Sequence, residues 1–480
     1  MRLQYLKDLG IGAVWISPFF KSPQNDCGYD VSDYRQVDEL FGTNEDFDEL
    51  LAKAHELDIK IIIDLVLNHT SEEHEWFKEA RKSRDNPKHD WYLWSPGKQP
   101  PNNWLSCFTR ESAWWYNEAT DECYMGQFTK EQPEVNWRNP ELRREMLSVL
   151  RFWLDKGVDG FRLDVANAYF KDAQLRSNPQ EITHPSFYMM DHIHDKNQPE
   201  VEEVFMEMRR MCNEYPGDRA LIGEIMDERP DISARFQGKN DMLNISFNFN
   251  FLWQKYSADA FRQAAVKHYQ AIEKYSHENQ PSFTLSNHDQ PRAASRYGPD
   301  QSVIKLIAVM LLTLKGTPTV YYGEEIGMTN VPVPKQQRSD PMSFAKFPLC
   351  LGYRDPERTP MQWSAELNGG FTTGQPWLPM GDYKKVNVEA QLSSASILQF
   401  YKDLIQMRQK MPSLHLGSIQ IDFDREDVFS YVRQFENERV HVYLNFGEEV
   451  ELKHVGKEVL MQNGFDGQKL MKNGFLVVKE

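Results

Sequence analysis

A chain of 480 residues is long enough for two to four domains, or for one large barrel with insertions. Hydrophobic residues make up 40% of it and aromatic residues 12%, which is ample for a packed core. The formal charge of −16 argues against nucleic acid or an anionic membrane as a partner.

The first residues, 3–9, carry a helical pattern that ends at Gly10. Because the chain opens directly on a helix, Met1 is expected to be an internal residue of a longer natural chain, and the lack of a visible signal peptide carries little weight. Residues 13–17 follow as a buried strand, ended by Pro18 and a polar loop over 21–33. Residues 47–57 are helical again, and 59–67 form a near-continuous apolar run, the pattern of a parallel strand covered on both faces. Asn68-His69-Thr70 stands at its carboxyl end.

From 71 to 135 the rhythm breaks into a stretch rich in Trp, Pro, Asn and charge, which reads as an inserted subdomain. Alternation resumes with a helix over 141–156 and the strand Gly157-Val-Asp-Gly-Phe-Arg-Leu-Asp-Val165. Side chains two apart share a strand face, so Arg162 and Asp164 point one way and Phe161, Leu163 and Val165 the other. The pair reads either as a structural ion pair or as a carboxylate nucleophile that its arginine keeps ionised. A long loop with His184, His192 and His194 follows; no carboxylate spacing there supports a metal site, and a solvated loop is expected.

Next come a helix over 200–215, a strand over 220–224 ending on Glu224, a strand over 243–251, a helix over 259–275 and a strand over 282–286. Asn287-His-Asp-Gln290 caps that strand. An apolar helix over 303–314 leads to a strand over 317–322 and then Gly323-Glu-Glu325. A Pro/Gly-rich loop over 330–382 precedes the last barrel helix, 396–410. The tail alternates from 419 onward, with Asn-Gly turns expected at 463 and 473, as a small antiparallel sheet does.

Buried strands alternating with helices point to a (β/α)8 barrel. The expected division is barrel over 1–70, an inserted subdomain over 71–135, barrel again over 136–412 and a C-terminal β-sheet domain over 413–480. Asp64, Asn68, His69, Arg162, Asp164, Glu224, His288 and Asp289 all fall at carboxyl ends of successive strands, the face where barrel enzymes keep their catalysts. The carboxylates Asp164, Glu224 and Asp289, with two histidines and an arginine but no Cys/His cluster and no phosphate-binding glycine loop, suggest acid/base and carboxylate-nucleophile work such as glycoside hydrolysis. Twelve Trp and twenty Tyr are a generous supply of faces for stacking on sugars, though most aromatics are core.

The motifs themselves carry a resemblance. Asp64-Leu-Val-Leu-Asn-His69, Gly160-Phe-Arg-Leu-Asp164, Gly223-Glu224 and Ser286-Asn-His-Asp289 are similar, in order, to the four signature regions of the α-amylase superfamily on its third, fourth, fifth and seventh strands. Gly28-Tyr29-Asp30, Gln132-Pro-Glu-Val-Asn-Trp137 and Arg358-Thr-Pro-Met-Gln-Trp363 resemble its oligo-1,6-glucosidase and α-glucosidase branch. The resemblance implies that Asp164 is the nucleophile, Glu224 the general acid and then base, and that Asp289 binds the 2- and 3-hydroxyls and stabilises the transition state. It implies that Arg162 orients Asp164, that His69 and His288 donate to the sugar, and that Tyr29 stacks beneath it. Asp26 and Arg354 would close the pocket on the terminal glucose, making the enzyme exo-acting, with Phe128 and Gln132 at the border. Val165 would accompany a preference for α-1,6 links.

Two departures stand out. Cys27 replaces the usual Asn, at a position expected to be a spacer. Only seven strands are counted, from 13 to 322, where the family has eight; the first, with a loop that often binds calcium, would precede Met1. Residues 13–17 and 317–322 are then expected to face each other across a gap. No cofactor is expected in this chain otherwise, and no metal ligands.

The expected function is a retaining α-glucosidase acting on short α-glucosides. Alternatives within the class are an α-1,4-glucosidase, a transglucosylase or a trehalose-6-phosphate hydrolase built on the same site. Of another class, inactive superfamily members serve as transporter heavy subunits, but those carry a membrane span and lack catalytic residues. Here the three carboxylates are present, and no apolar run is long enough to span a bilayer. Five cysteines (Cys27, Cys107, Cys123, Cys212, Cys350) without paired spacing suggest free thiols in a reduced, cytoplasmic protein, expected to be a monomer.

Overall fold

Seven short strands pair in parallel and in chain order: Ala13–Ile16, Lys60–Leu65, Gly160–Leu163, Ala220–Glu224, Ile245–Phe247, Ser282–Thr284 and Thr317–Thr319. The computed structural model describes residues 2–179, 190–247, 249–276, 278–344, 352–393, 395–452 and 456–480. His184 and Cys350 lie outside them. Among the described residues the first and last strands do not pair with each other, so the sheet has seven strands and an open seam, as the strand count implied.

Alternation along the strands sorts the side chains. Ile61, Ile63, Leu65, Phe161, Leu163 and Leu221 are fully buried toward the helices, while Asp64 and Arg162, register partners in neighbouring strands, face inward. Gly160 allows the strands to approach: a Cβ there would stand 2.3 Å from the Ala220 carbonyl oxygen. The helix Pro140–Lys156 shows how local chemistry sets its bounds. Asn139 caps it by accepting from the N–H groups of Glu141 and Leu142, Pro140 occupies its first turn, and Gly157 ends it at φ 100°. Its buried face includes Leu142, Met146, Leu150 and Trp153, each contributing about 1.5–3 kcal/mol by leaving water.

Several expected bounds are corrected. The helix predicted over 47–57 begins at Asn44, because Thr43 and Asp46 form a reciprocal capping box upstream of the first apolar residue. The strand predicted through Val165 stops at Leu163, and Val165 takes a left-handed backbone at φ 35°. The strand predicted over 243–251 is cut to Ile245–Phe247 and followed by the helical turn Phe249–Leu252. At the two ends of the stretch 21–33, read as loop, the segments Phe20–Lys21 and Asp33–Val37 pair as a small ribbon. Between 71 and 135, Trp94–Pro96, Trp114–Asn117 and Glu122–Met125 form a three-stranded sheet with the last in the middle.

Strands Ser418–Asp422, Val428–Phe435, Glu438–Asn445, Val450–Glu451, Glu458–Phe465 and Lys469–Lys479 form the C-terminal antiparallel sheet. The Asn-Gly pairs at 463 and 473 lie inside its strands rather than at turns. A register shift at 463–465 absorbs the first, and the connection falls at 466–468, where Gly467 has φ 105°. This sheet is fastened to the barrel by Arg433, fully buried, which donates to the Thr313 carbonyl at 2.6 Å, and by a hydrogen bond between the Thr313 and Tyr431 hydroxyls at 2.6 Å.

None of the four described cysteines is in a disulfide. No helix among the described residues is long and apolar enough to cross a membrane, and no group of three or more His, Cys, Asp or Glu there is arranged to hold a metal ion. His192 pairs instead with Asp195 at 2.8 Å.

Candidate active site

Two buried arginines organise the carboxyl ends of the strands. Arg162, 2% exposed, is reached by three carboxyl groups. Its Nη1 lies 3.1 and 3.2 Å from the two oxygens of Asp64 and 2.6 Å from Asp164 Oδ1, and its Nη2 lies 2.7 Å from Glu224 Oε2. The guanidinium also sits 4.9 Å from the Trp15 ring and 5.8 Å from that of Tyr29. Parallel pairing produces this convergence: Asp64 and Arg162 are neighbours across two strands, Asp164 is one position past the second strand, and Glu224 ends the third.

Charge is unequal there, with three acids and one cation. Burial pushes the Glu224 carboxyl up to about 8, aided by Asp164 and Asp289, and Asp164 up to about 7, aided by Asp64. Asp64 rises to about 6, also through burial. Arg162 opposes that rise at Asp164, but one cation is divided among three buried carboxyls. Burial raises the carboxyls of both Asp164 and Glu224, that of Glu224 to the higher value.

Arg354 is the second hub. It donates to Asp26 Oδ1 at 2.7 Å, to Asp289 Oδ1 at 3.0 Å and to Asp340 Oδ1 at 2.8 and 3.1 Å. Arg358 joins it, donating to Asp289 Oδ1 at 2.8 Å and to the His288 carbonyl at 2.7 Å. Burial pushes Asp289 up, but His288 and these arginines outweigh it and hold the carboxyl well below its ordinary range. His288 is itself pushed down to about 3 by burial, so at neutral pH the arginines are the acting charges.

Tyr29 ties the hubs together. Its hydroxyl donates to Asp64 Oδ2 at 3.0 Å and accepts from His288 Nε2 at 2.8 Å, while its ring stacks on His288 at 5.5 Å and 5°. That network assigns the His288 proton to Nε2. The loop can make this turn because Gly28 takes φ 96° and a Cβ there would meet the Pro18 carbonyl at 2.7 Å. His69 is neutral too, burial pushing it down to about 3; its Nε2 donates to the Tyr29 carbonyl at 3.0 Å and its Nδ1 accepts from Asn68.

The inserted segment supplies the border. Gln132 donates to Asp26 Oδ2 at 3.1 Å, and the Phe128 ring lies 5.1 Å from His69. Val165 is buried beside Phe128, and its backbone N–H donates to Glu224 Oε2 at 3.0 Å.

All twelve residues singled out from the sequence thus meet at one place, at the carboxyl ends of the strands. The sequence reading left out Asp340, Arg358 and Trp15 and assigned no role to Asp64. Arg358 and Asp64 stood inside motifs already quoted and had a signal. Asp340 lies in an aperiodic loop and had none.

The chain is similar over most of its length to known proteins. The α-amylase catalytic-domain family model matches residues 1–417. Oligo-1,6-glucosidase of Parageobacillus thermoglucosidasius is 38% identical, over 93% of this chain and 85% of its own. Among solved structures, the α-glucosyl transfer enzyme XgtA superposes with a TM-score of 0.92 at 35% identity, covering 100% of this chain and 93% of its own. Trehalulose synthase MutB of Pseudomonas mesoacidophila MX-45 gives a TM-score of 0.90 at 33% identity, with 100% and 93% covered.

Proposed function

The chain belongs to the α-amylase family as an α-glucosidase-type glycoside hydrolase, and from that premise we propose that it is a retaining, exo-acting enzyme that releases glucose from short α-glucosides, preferring α-1,6 links. The observation that carries this is the single guanidinium of Arg162, 2.6 Å from Asp164 and 2.7 Å from Glu224. Carboxyl groups sharing one planar cation are close, which supports the separation of about 5–5.5 Å found in retaining enzymes over the roughly 6.5–9.5 Å of inverting ones.

In the first step Asp164 attacks the anomeric carbon as Glu224 gives its proton to the departing oxygen, leaving a covalent glucosyl ester. Water then attacks the same carbon, losing a proton to Glu224, and Asp164 leaves as carboxylate. A donor with its pKa raised to about 8 is protonated at neutral pH, as the first step requires. Asp289, held charged by Arg354 and Arg358, faces the sugar as a fixed anion and stabilises the positive charge that develops. The Asp26–Arg354 pair supports a pocket closed behind one terminal glucose. The α-1,6 preference rests on Val165, whose branched side chain beside the nucleophile narrows the space for an α-1,4 leaving group.

Product analysis on isomaltose, maltose, sucrose and trehalose tests the proposal. Glucose released fastest from isomaltose is expected. Conversion of sucrose to an isomer, without glucose release from isomaltose, would overturn it.

A further inference from the structure

The wall behind the glucose pocket is built on a clasp between two pairs of consecutive residues. Arg354 reaches Asp26 through Nη2 at 2.7 Å and Asp289 through Nη1 at 3.0 Å. Its guanidinium lies 4.5 Å from the Phe108 ring. A side chain this long has many rotamers, and holding its head in one place costs conformational entropy.

Asp340 limits that freedom from both ends. Its Oδ2 accepts the backbone N–H of Arg354 at 2.5 Å, while its Oδ1 accepts from Nε at 3.1 Å and from Nη2 at 2.8 Å. One carboxylate thus grips the root and the head of the same arginine. Asp355, the residue after Arg354, answers in the other direction. Its oxygens accept from the Ser339 hydroxyl at 2.8 Å and from the N–H groups of Ser339 and Asp340, each at 3.2 Å. Burial pushes the Asp340 carboxyl up, but Arg354 outweighs it and holds it below its ordinary range. Asp340 and Asp355 are both fully buried. Asp340 is therefore shut off from a sugar in the pocket and acts through Arg354.

We propose that Asp340, with Ser339 and Asp355 behind it, is a positioning residue that sets specificity at the glucose end: it keeps Arg354 across that end of the pocket, so that an unextended terminal glucose enters and a disaccharide unit is refused. This deepens the exo-acting function proposed above and rests on it. Charge-assisted hydrogen bonds to one edge of a planar guanidinium fix its orientation as well as its place. Released from the clasp, the head of Arg354 turns away from Asp26, and the pocket gains length opposite the departing oxygen.

The test is initial-rate product analysis on p-nitrophenyl α-glucoside and p-nitrophenyl α-maltoside, with isomaltose alongside. The wild type should release glucose from isomaltose and from p-nitrophenyl α-glucoside, and no maltose from the maltoside. Asp340→Asn keeps the shape and removes the charge. It should raise KM for p-nitrophenyl α-glucoside about tenfold or more, with a smaller fall in kcat, and it should release maltose from the maltoside. A merely structural role would lower kcat through the folded fraction and leave KM where it is. Ser339→Ala removes one bond at an exposed position and should raise KM by less; where Asp340→Asn does not fold, this variant decides, and an unchanged KM in it counts against the proposal. An unchanged KM or no maltose in folded Asp340→Asn, or maltose released by the wild type, would overturn the proposal while leaving the α-glucosidase function standing. Failure of the wild type to cleave p-nitrophenyl α-glucoside and isomaltose alike would overturn both.

Discussion

The backbone N–H of Val165 donates to Glu224 Oε2 at 3.0 Å, so the residue that follows the candidate nucleophile is bound to the candidate proton donor. Val165 has a left-handed backbone, at φ 35°, which a β-branched residue adopts at a cost of about 1–3 kcal/mol. Strain of this kind persists where surrounding contacts over-determine it, here the ends of two strands and the packing on Phe128.

Changing Val165 should therefore move specificity. Val165→Ala and Val165→Thr widen or repolarise the space beside the leaving group, and the ratio of kcat/KM for isomaltose over maltose should fall by about 1–3 kcal/mol of discrimination. Comparing the two substrates in parallel checks this; an unchanged ratio in both variants rules out a role for Val165 in linkage choice.

Asp164→Asn should lose more than about a thousandfold in kcat, since the covalent step has no substitute nucleophile. The same variant should be more stable at alkaline pH. Asp164 has its pKa raised from 3.8 to about 7, so the native state binds the extra proton, and the carboxyl's contribution to stability is lost as pH rises through that range. Removing one of three acids that share Arg162 should raise Tm by about 2–4 °C above neutral pH, with little gain near pH 4. Melting curves at the two pH values decide it; no gain at alkaline pH would show that Asp164 is fully compensated.

The pH profile of kcat/KM should be bell-shaped. Activity needs Asp164 ionised and Glu224 protonated, so the acid limb should fall near 7 and the alkaline limb near 8, as properties of the coupled pair. Glu224→Gln should remove the alkaline limb when a substrate with a good leaving group bypasses the need for a proton. An alkaline limb that survives in this variant would assign it to another group.

A second pH effect lies far from this site. His268, on the helix Ala258–Tyr275, is 1% exposed, neither of its ring nitrogens has a hydrogen-bond partner among the described residues, and it meets Phe283 edge-on at 5.8 Å. Burial pushes its pKa down from 6.5 to about 4. The unfolded chain takes up the proton first, so the stability His268 contributes is complete above 6.5 and is lost as pH falls toward 4. His268→Leu leaves no unpaired polar atom and should stabilise the protein, most at the acid end, by about 1–3 kcal/mol. Equal acid sensitivity of variant and wild type in denaturant titrations would contradict this.

Much of this architecture was legible because inward-facing polar residues interrupt otherwise apolar strands: Asp64, Arg162 and Glu224 mark the strand ends as clearly as Ile61, Ile63 and Leu65 mark the buried face. The capping of the helix at Thr43 left a reciprocal Asp46 three residues on, readable in principle yet upstream of the apolar period. What escaped was decided by tertiary contacts. Val165 looks like the last residue of a strand, yet it is left-handed and bonded to Glu224, 59 residues away, a contact outside any local pattern. Asn463 and Asn473 carry a turn signature, but pairing between Glu458–Phe465 and Lys469–Lys479 absorbs both. Asp340 gained its place through Arg354, a contact that no local pattern announces.

The central claim is a double displacement at Asp164, and the measurement that bears on it most directly is the anomer first released from isomaltose, followed by proton NMR before mutarotation. α-Glucose should appear first, because two inversions at one carbon restore its configuration. β-Glucose as the first product would contradict a covalent glucosyl-Asp164 intermediate and require a water placed between two more distant carboxyl groups.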